Sequence, residues 1–88
     1  MDFQNKVVVV TGGANGIGRA LCEQFARAGA KVAVVDLEED SAVILATLIG
    51  GLGLRADVSC EDDIRWVVKE TEDVLGPIDV FVSNAGVA

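Results

Sequence analysis

Eight residues, TGGANGIG at 11–18, stand where a valine run ends and a segment of helical period begins, and that placement constrains the chain more than any other feature. A strand that passes into a helix over so short a loop needs backbone free to take positive φ, which Gly12 supplies. Gly16 presents backbone bare of side chain, and Gly18 lets helix and strand pack closely. The first turn of such a helix leaves amides without intrahelical partners and gathers partial positive charge, so it can hold a phosphate without any cation. An isolated trio of glycines would imply only a turn. Here the strand-to-helix context gives the loop its meaning.

The charge balance makes this relevant. Seven Lys and Arg against fourteen Asp and Glu, with no His, give a formal net charge of -7. That excludes nucleic acid and anionic membrane as partners, both of which need basic patches. The first apolar run, 7–10, is far too short to cross a bilayer and is not followed by a small-residue cleavage site, so a cytoplasmic location is the default expectation. Cys22 and Cys60 are too few for a disulfide framework or a zinc site, and both are read as reduced thiols; no metal site is expected.

Val-rich runs alternate with helical segments along the chain, the pattern of strand-helix units on a parallel sheet. Strands are expected at 6–11 (KVVVVT), 31–36 (KVAVVD), 54–58 and 78–83 (IDVFVS). The first helix should bury Ile17, Leu21, Phe25 and Ala28 and stop at Gly29. The third should start from a capping box of Ser59 with Asp62, bury Ile64, Val67, Val68, Thr71, Val74 and Leu75, and end at Gly76-Pro77. The middle helix, 38–49, is apolar on all sides from Ala42 to Ala46 and again at Leu48 and Ile49. Either the rest of the protein covers it or it meets another subunit, which makes a homo-oligomer an expectation.

Asp36 ends the second strand eighteen residues after Gly18, close to the spacing at which a carboxylate reaches the adenosine ribose of a bound dinucleotide. The same carboxylate repels a 2′-phosphate, and neither Ala14, Asn15 nor Leu37 offers a compensating cation. NAD is therefore the expected cofactor in preference to NADP. The alternative for Asp36 is a solvated acid heading the acidic run 38–40.

Taken together these residues resemble the N-terminal part of the short-chain dehydrogenase/reductase family. The family's TGxxxGxG is matched by Thr11, Gly12, Gly16 and Gly18; Asp57-Val58 resembles its adenine-contacting position; and Ser83-Asn84-Ala85-Gly86 resembles its NNAG motif, with Ser83 in place of the first Asn. The resemblance covers all 88 residues. It implies a Rossmann-type doubly wound α/β fold, partial, with strand order 3-2-1-4. It also implies NAD(H) contacts from Gly12, Asn15, Gly16, Ile17, Gly18, Asp36, Asp57, Val58, Asn84, Ala85 and Gly86. Asp57 has a second reading, as the start of the next helix's capping region, and 84–86 has one as a simple turn.

The family's proton relay uses a Tyr and Lys in YxxxK with a Ser and a further Asn, and this sequence has no Tyr. No catalytic residue is therefore expected in residues 1–88, which read as the dinucleotide-binding part of a single domain belonging to a longer protein. In that protein hydride would pass between the nicotinamide and a small alcohol or carbonyl substrate. The alternative is a nucleotide-binding sensor or regulatory module with the same cradle and no catalysis.

Overall fold

A computed structural model describes residues 2–84. Its elements run β1 (Val7–Thr11), α1 (Gly16–Arg27), β2 (Lys31–Asp36), α2 (Glu39–Ile49), β3 (Leu52–Arg55), α3 (Glu61–Val74) and β4 (Val80–Val82). All strand pairs are parallel and the order is β3-β2-β1-β4, the expected doubly wound arrangement.

The continuous valine runs follow from burial on both faces. β1 is buried at every position, and β2 from Val32 through Val35. Because side chains alternate along a strand, the run splits into two cores. Val8, Val10, Val32 and Val34 point to one face and meet Cys22 of α1 with Ala42, Leu45 and Ala46 of α2. Val9, Ala33 and Val35 point to the other and meet Leu54, Ala56 and Val67 of α3. Each fully buried valine is worth roughly 1.5–3 kcal/mol of transfer free energy, so the two central strands carry most of the fold's cohesion.

Three local expectations are corrected. The third strand starts two residues before the expected Leu54 and ends before Ala56, its register being Ala33↔Leu52 to Asp36↔Arg55. Gly51 and Gly53 gave the segment the composition of a loop, yet Gly53 is a strand residue under α2. A Cβ there would lie 2.9 Å from the Ala42 carbonyl oxygen and the Val43 Cα.

The buried stripe of α1 keeps the expected Phe25 but otherwise differs from the expected one. Ile17 is 66% exposed, while Gly18 and Cys22 are buried and Phe25 and Ala26 pack on the core. Helix and sheet meet where side chains are smallest, so apolar spacing counted from Ile17 misplaces the face.

The start of α3 is not a Ser59–Asp62 capping box. The Ser59 hydroxyl donates to Asp57 Oδ1 at 2.6 Å, and it is Asp63 that reaches back, its Oδ2 accepting from the Asp57 amide at 2.8 Å. Val67 and Thr71 are the buried residues of the helix, and Val74 is exposed.

α2 ends at Gly50 in the left-handed region (φ 71), with the Gly51 amide closing onto the Ala46 carbonyl at 2.7 Å. Its outer face leaves Val43, Ile44 and Leu48 exposed.

Candidate functional site at the carboxyl ends of the strands

The glycine loop begins where β1 ends. Gly12 turns the chain with φ 62 and Gly16 opens α1 with φ 57. Nothing lies within 4 Å of the place a Gly16 Cβ would occupy, so this backbone faces open space at the helix mouth. At Gly18 the reverse holds. A Cβ there would fall onto the Gly12 carbonyl oxygen and lie 2.8 Å from Asn84 Nδ2.

Side chains from three elements pin successive loop residues. Asn84, just past β4, donates from Nδ2 to the Gly12 carbonyl at 3.3 Å, and its amide donates to Thr11 Oγ1 at 2.9 Å. Cys22 of α1 sets its thiol 3.7 Å from the Gly13 carbonyl. Asp36, at the end of β2, accepts from the Ala14 amide through Oδ2 at 3.1 Å and from the Glu38 amide through Oδ1 at 3.1 Å.

Burial, with Glu23's negative charge adding to it, pushes the Cys22 thiol up to about 11, so at neutral pH it is a protonated donor. The folded pKa lies above the ordinary value of 9.0, and the folded state therefore binds the proton more tightly. Its stabilising contribution is complete below about pH 9 and is lost as pH rises through 11. Urea midpoints measured from pH 8 to 11 are expected to fall in the unmodified protein more steeply than in Cys22→Ala; equal slopes would contradict the assignment.

Beyond the ends of β2 and β3 lies a cleft of about 390 Å³, lined by Gly12, Val35, Asp36, Leu37, Ala56, Asp57, Val58 and Ser59. Among the described residues no Lys or Arg lines it. Four sequence-derived candidates, Gly12, Asp36, Asp57 and Val58, thus share one cavity.

Asp57 Oδ1 accepts from both the hydroxyl and the amide of Ser59, at 2.6 and 2.9 Å, which holds its carboxyl below the usual range, with Arg55 contributing. It is ionised at neutral pH, and Oδ2 is its remaining acceptor oxygen. The capping reading of Asp57 is thereby partly realised, since it shapes the turn into α3.

Asn15, Gly16 and Ile17 are exposed at the start of α1, Asn15 in extended backbone without a side-chain capping bond. Asn84 stands on the opposite flank of the loop from Asp36, with its side chain committed to Gly12. Ala85 and Gly86 lie outside the described residues.

The sequence reading missed Val35, Leu37, Ala56 and Ser59 as cleft residues. Their position at or just past a strand terminus was the available signal. It also missed that Asp36 and Asn84 bond the loop itself.

The short chain dehydrogenase family model matches residues 6–88. An uncharacterized oxidoreductase of Schizosaccharomyces pombe is 42% identical over the whole of this chain and 33% of its own length. Tropinone reductase-like 1 of Erythroxylum coca is 41% identical over 97% of this chain and 32% of its own, and zerumbone synthase of Zingiber zerumbet 37% identical over 99% and 34%. A crystal structure described as ribose-5-phosphate isomerase from Brucella melitensis superposes with a TM-score of 0.91 at 37% identity, covering 98% of this chain and 34% of that one. The chain spans about a third of the length of these relatives.

Proposed function

The chain belongs to the short chain dehydrogenase family, and from that premise we propose that it forms the NAD(H)-binding part of an oxidoreductase acting on a small alcohol or carbonyl substrate. The observation that carries this reading is the cleft itself: the glycine turn at Gly12 and a fixed carboxylate, Asp36, border one cavity whose described lining holds no cation, and the bare backbone of Gly16 opens α1 four residues past that turn. Such a donor set suits a diphosphate joined to a ribose with free hydroxyls. The backbone satisfies the anion, and Asp36 has lone pairs for the sugar beyond the two already used.

In this proposal the first-turn amides of α1, at Gly16, Ile17 and Gly18, hold the diphosphate, with Asn15 beside them. Asp36 holds the adenosine ribose, and Asp57 and Val58 the adenine. Asn84 acts from behind by fixing Gly12, and Ala85 and Gly86 are assigned to the cofactor's other ribose by the family pattern alone. When bound, the nicotinamide supplies the hydride chemistry, while these residues bind, orient and exclude water.

Asp36 disfavours a 2′-phosphate, which makes NAD the preferred form. Among the described residues no helix is long and apolar enough to cross a membrane. Binding is tested by thermal melts of the protein with 1 mM NADH. At a Kd about a hundredfold lower than that concentration, linkage adds about 2.7 kcal/mol and several degrees to Tm. An unchanged Tm contradicts the proposal.

The exposed Val43, Ile44 and Leu48 of α2 are assigned to a contact between copies of the protein. Sedimentation of Leu48→Glu should then show a smaller species than the unmodified protein at the same concentration, and identical species would remove the assignment.

A further inference from the structure

We propose that Asp36 is also a positioning residue: acting through the Ala14 amide, its carboxylate sets the glycine loop before any ligand arrives. The ligand half of this idea rests on the function proposed above; the loop half does not.

The reason lies in how β2 ends. Parallel pairing of β1 with β2 runs to Thr11↔Val35, and the Gly13 amide still finds the Val35 carbonyl at 3.1 Å. The next backbone acceptor along β2, the Asp36 carbonyl, faces β3 and takes the Ala56 amide at 3.2 Å. Ala14 is 5% exposed, so its amide has neither that carbonyl nor open water to turn to. The Asp36 side chain fills the gap, with Oδ2 3.1 Å from the Ala14 nitrogen.

The carboxylate is itself fixed, because Oδ1 accepts the Glu38 amide two residues on, a short turn that limits its rotation. One group therefore ties the loop to the end of β2 from one side, while Asn84 ties Gly12 from the other. The helix mouth follows directly, since Asn15 is the residue between Ala14 and α1.

A variant made only to change cofactor preference at this position would consequently disturb the phosphate grip as well. Asp36→Asn and Asp36→Ala separate the two effects. Both are uncharged, and they differ chiefly in whether position 36 can accept from Ala14.

The first readout is hydrogen exchange of the Ala14 amide in the protein without ligand. Exchange is expected at least tenfold faster in Asp36→Ala than in the unmodified protein, and within about threefold of it in Asp36→Asn. The second is binding of inorganic pyrophosphate, a probe with no ribose for Asp36 to touch. Asp36→Asn should bind it at least as tightly as the unmodified protein, since a negative charge has gone, and Asp36→Ala should bind it at least fivefold more weakly than Asp36→Asn.

Equal Ala14 exchange in all three proteins, or measurable pyrophosphate binding that is equal in the two variants, would overturn the proposal. Pyrophosphate that binds none of the three while exchange behaves as expected would uphold the positioning role and contradict the cofactor reading instead. If Asp36→Ala does not fold, the through-hydrogen-bond scalar coupling between the Ala14 amide nitrogen and the Asp36 carboxyl carbon decides in the unmodified protein. Its presence supports the proposal, and its absence refutes it.

Discussion

Gly18→Ala is expected to destabilise the protein by about 3 kcal/mol and to abolish measurable NADH binding. The added methyl would land on the Gly12 carbonyl oxygen, which is backbone and already holds Asn84 Nδ2 at 3.3 Å. Overpacking ordinarily costs about 1–3 kcal/mol when side chains can move aside; here the obstacle is the loop itself, so the upper end applies. Relief requires either lifting α1 off the sheet or pushing Gly12 away from Asn84, and both deform the helix mouth.

Gly16→Val is the contrasting substitution. Its φ of 57 makes any side chain strained by roughly 1–2 kcal/mol, but no neighbour lies within 4 Å. Stability should fall modestly while NADH affinity drops at least tenfold, because the side chain enters the space assigned to the diphosphate. Denaturant melts and fluorescence titration of the two variants read both quantities. Equal stability losses, or unchanged NADH affinity in Gly16→Val, would contradict this division of labour.

The second large effect concerns cofactor choice. Hydrogen bonds to a charged acceptor are worth about 1.5–3 kcal/mol, so Asp36→Ala should weaken NAD+ binding by roughly 10- to 150-fold. NADP+ binding should weaken much less, or strengthen, because removing the carboxylate also removes repulsion of the 2′-phosphate. The ratio of the two affinities is the quantity to follow, since disturbance of the loop affects both cofactors and cancels in it. A ratio unmoved by the substitution would take Asp36 out of cofactor discrimination.

The parallel sheet was legible because Val7 to Val10 and Val32 to Val35 have only one physical use, burial on both faces. The strand order, by contrast, came from family resemblance, since periodicity cannot rank strands in space. β3 was misplaced because Gly51 and Gly53 carry loop composition for a tertiary reason, the close approach of α2. Ile17 was assigned to the core of α1 by its helical spacing from Leu21, Phe25 and Ala28, although the helix meets the sheet through Gly18 and Cys22.

For the site, residue type and strand-end position pointed to Gly12 and Asp36, and the family resemblance added Asp57 and Val58; the structure gathers all four around one cleft. The bonds that hold the loop were not legible. Asp36 to Ala14 and Asn84 to Gly12 span 22 and 72 residues of sequence, and nothing local marks either carboxylate or amide as a tie.

The central claim is that the amides at the mouth of α1 hold the diphosphate while Asp36 holds the ribose beside it. It is tested most directly by following the backbone amide resonances of the protein as NAD+ and, separately, NADP+ are added. The account predicts that the amides from Ala14 through Gly18, together with Asp36 and Asp57, shift first and furthest, at lower concentrations of NAD+ than of NADP+. Amides at the mouth that stay in place while others move, or saturation by NADP+ before NAD+, would contradict it.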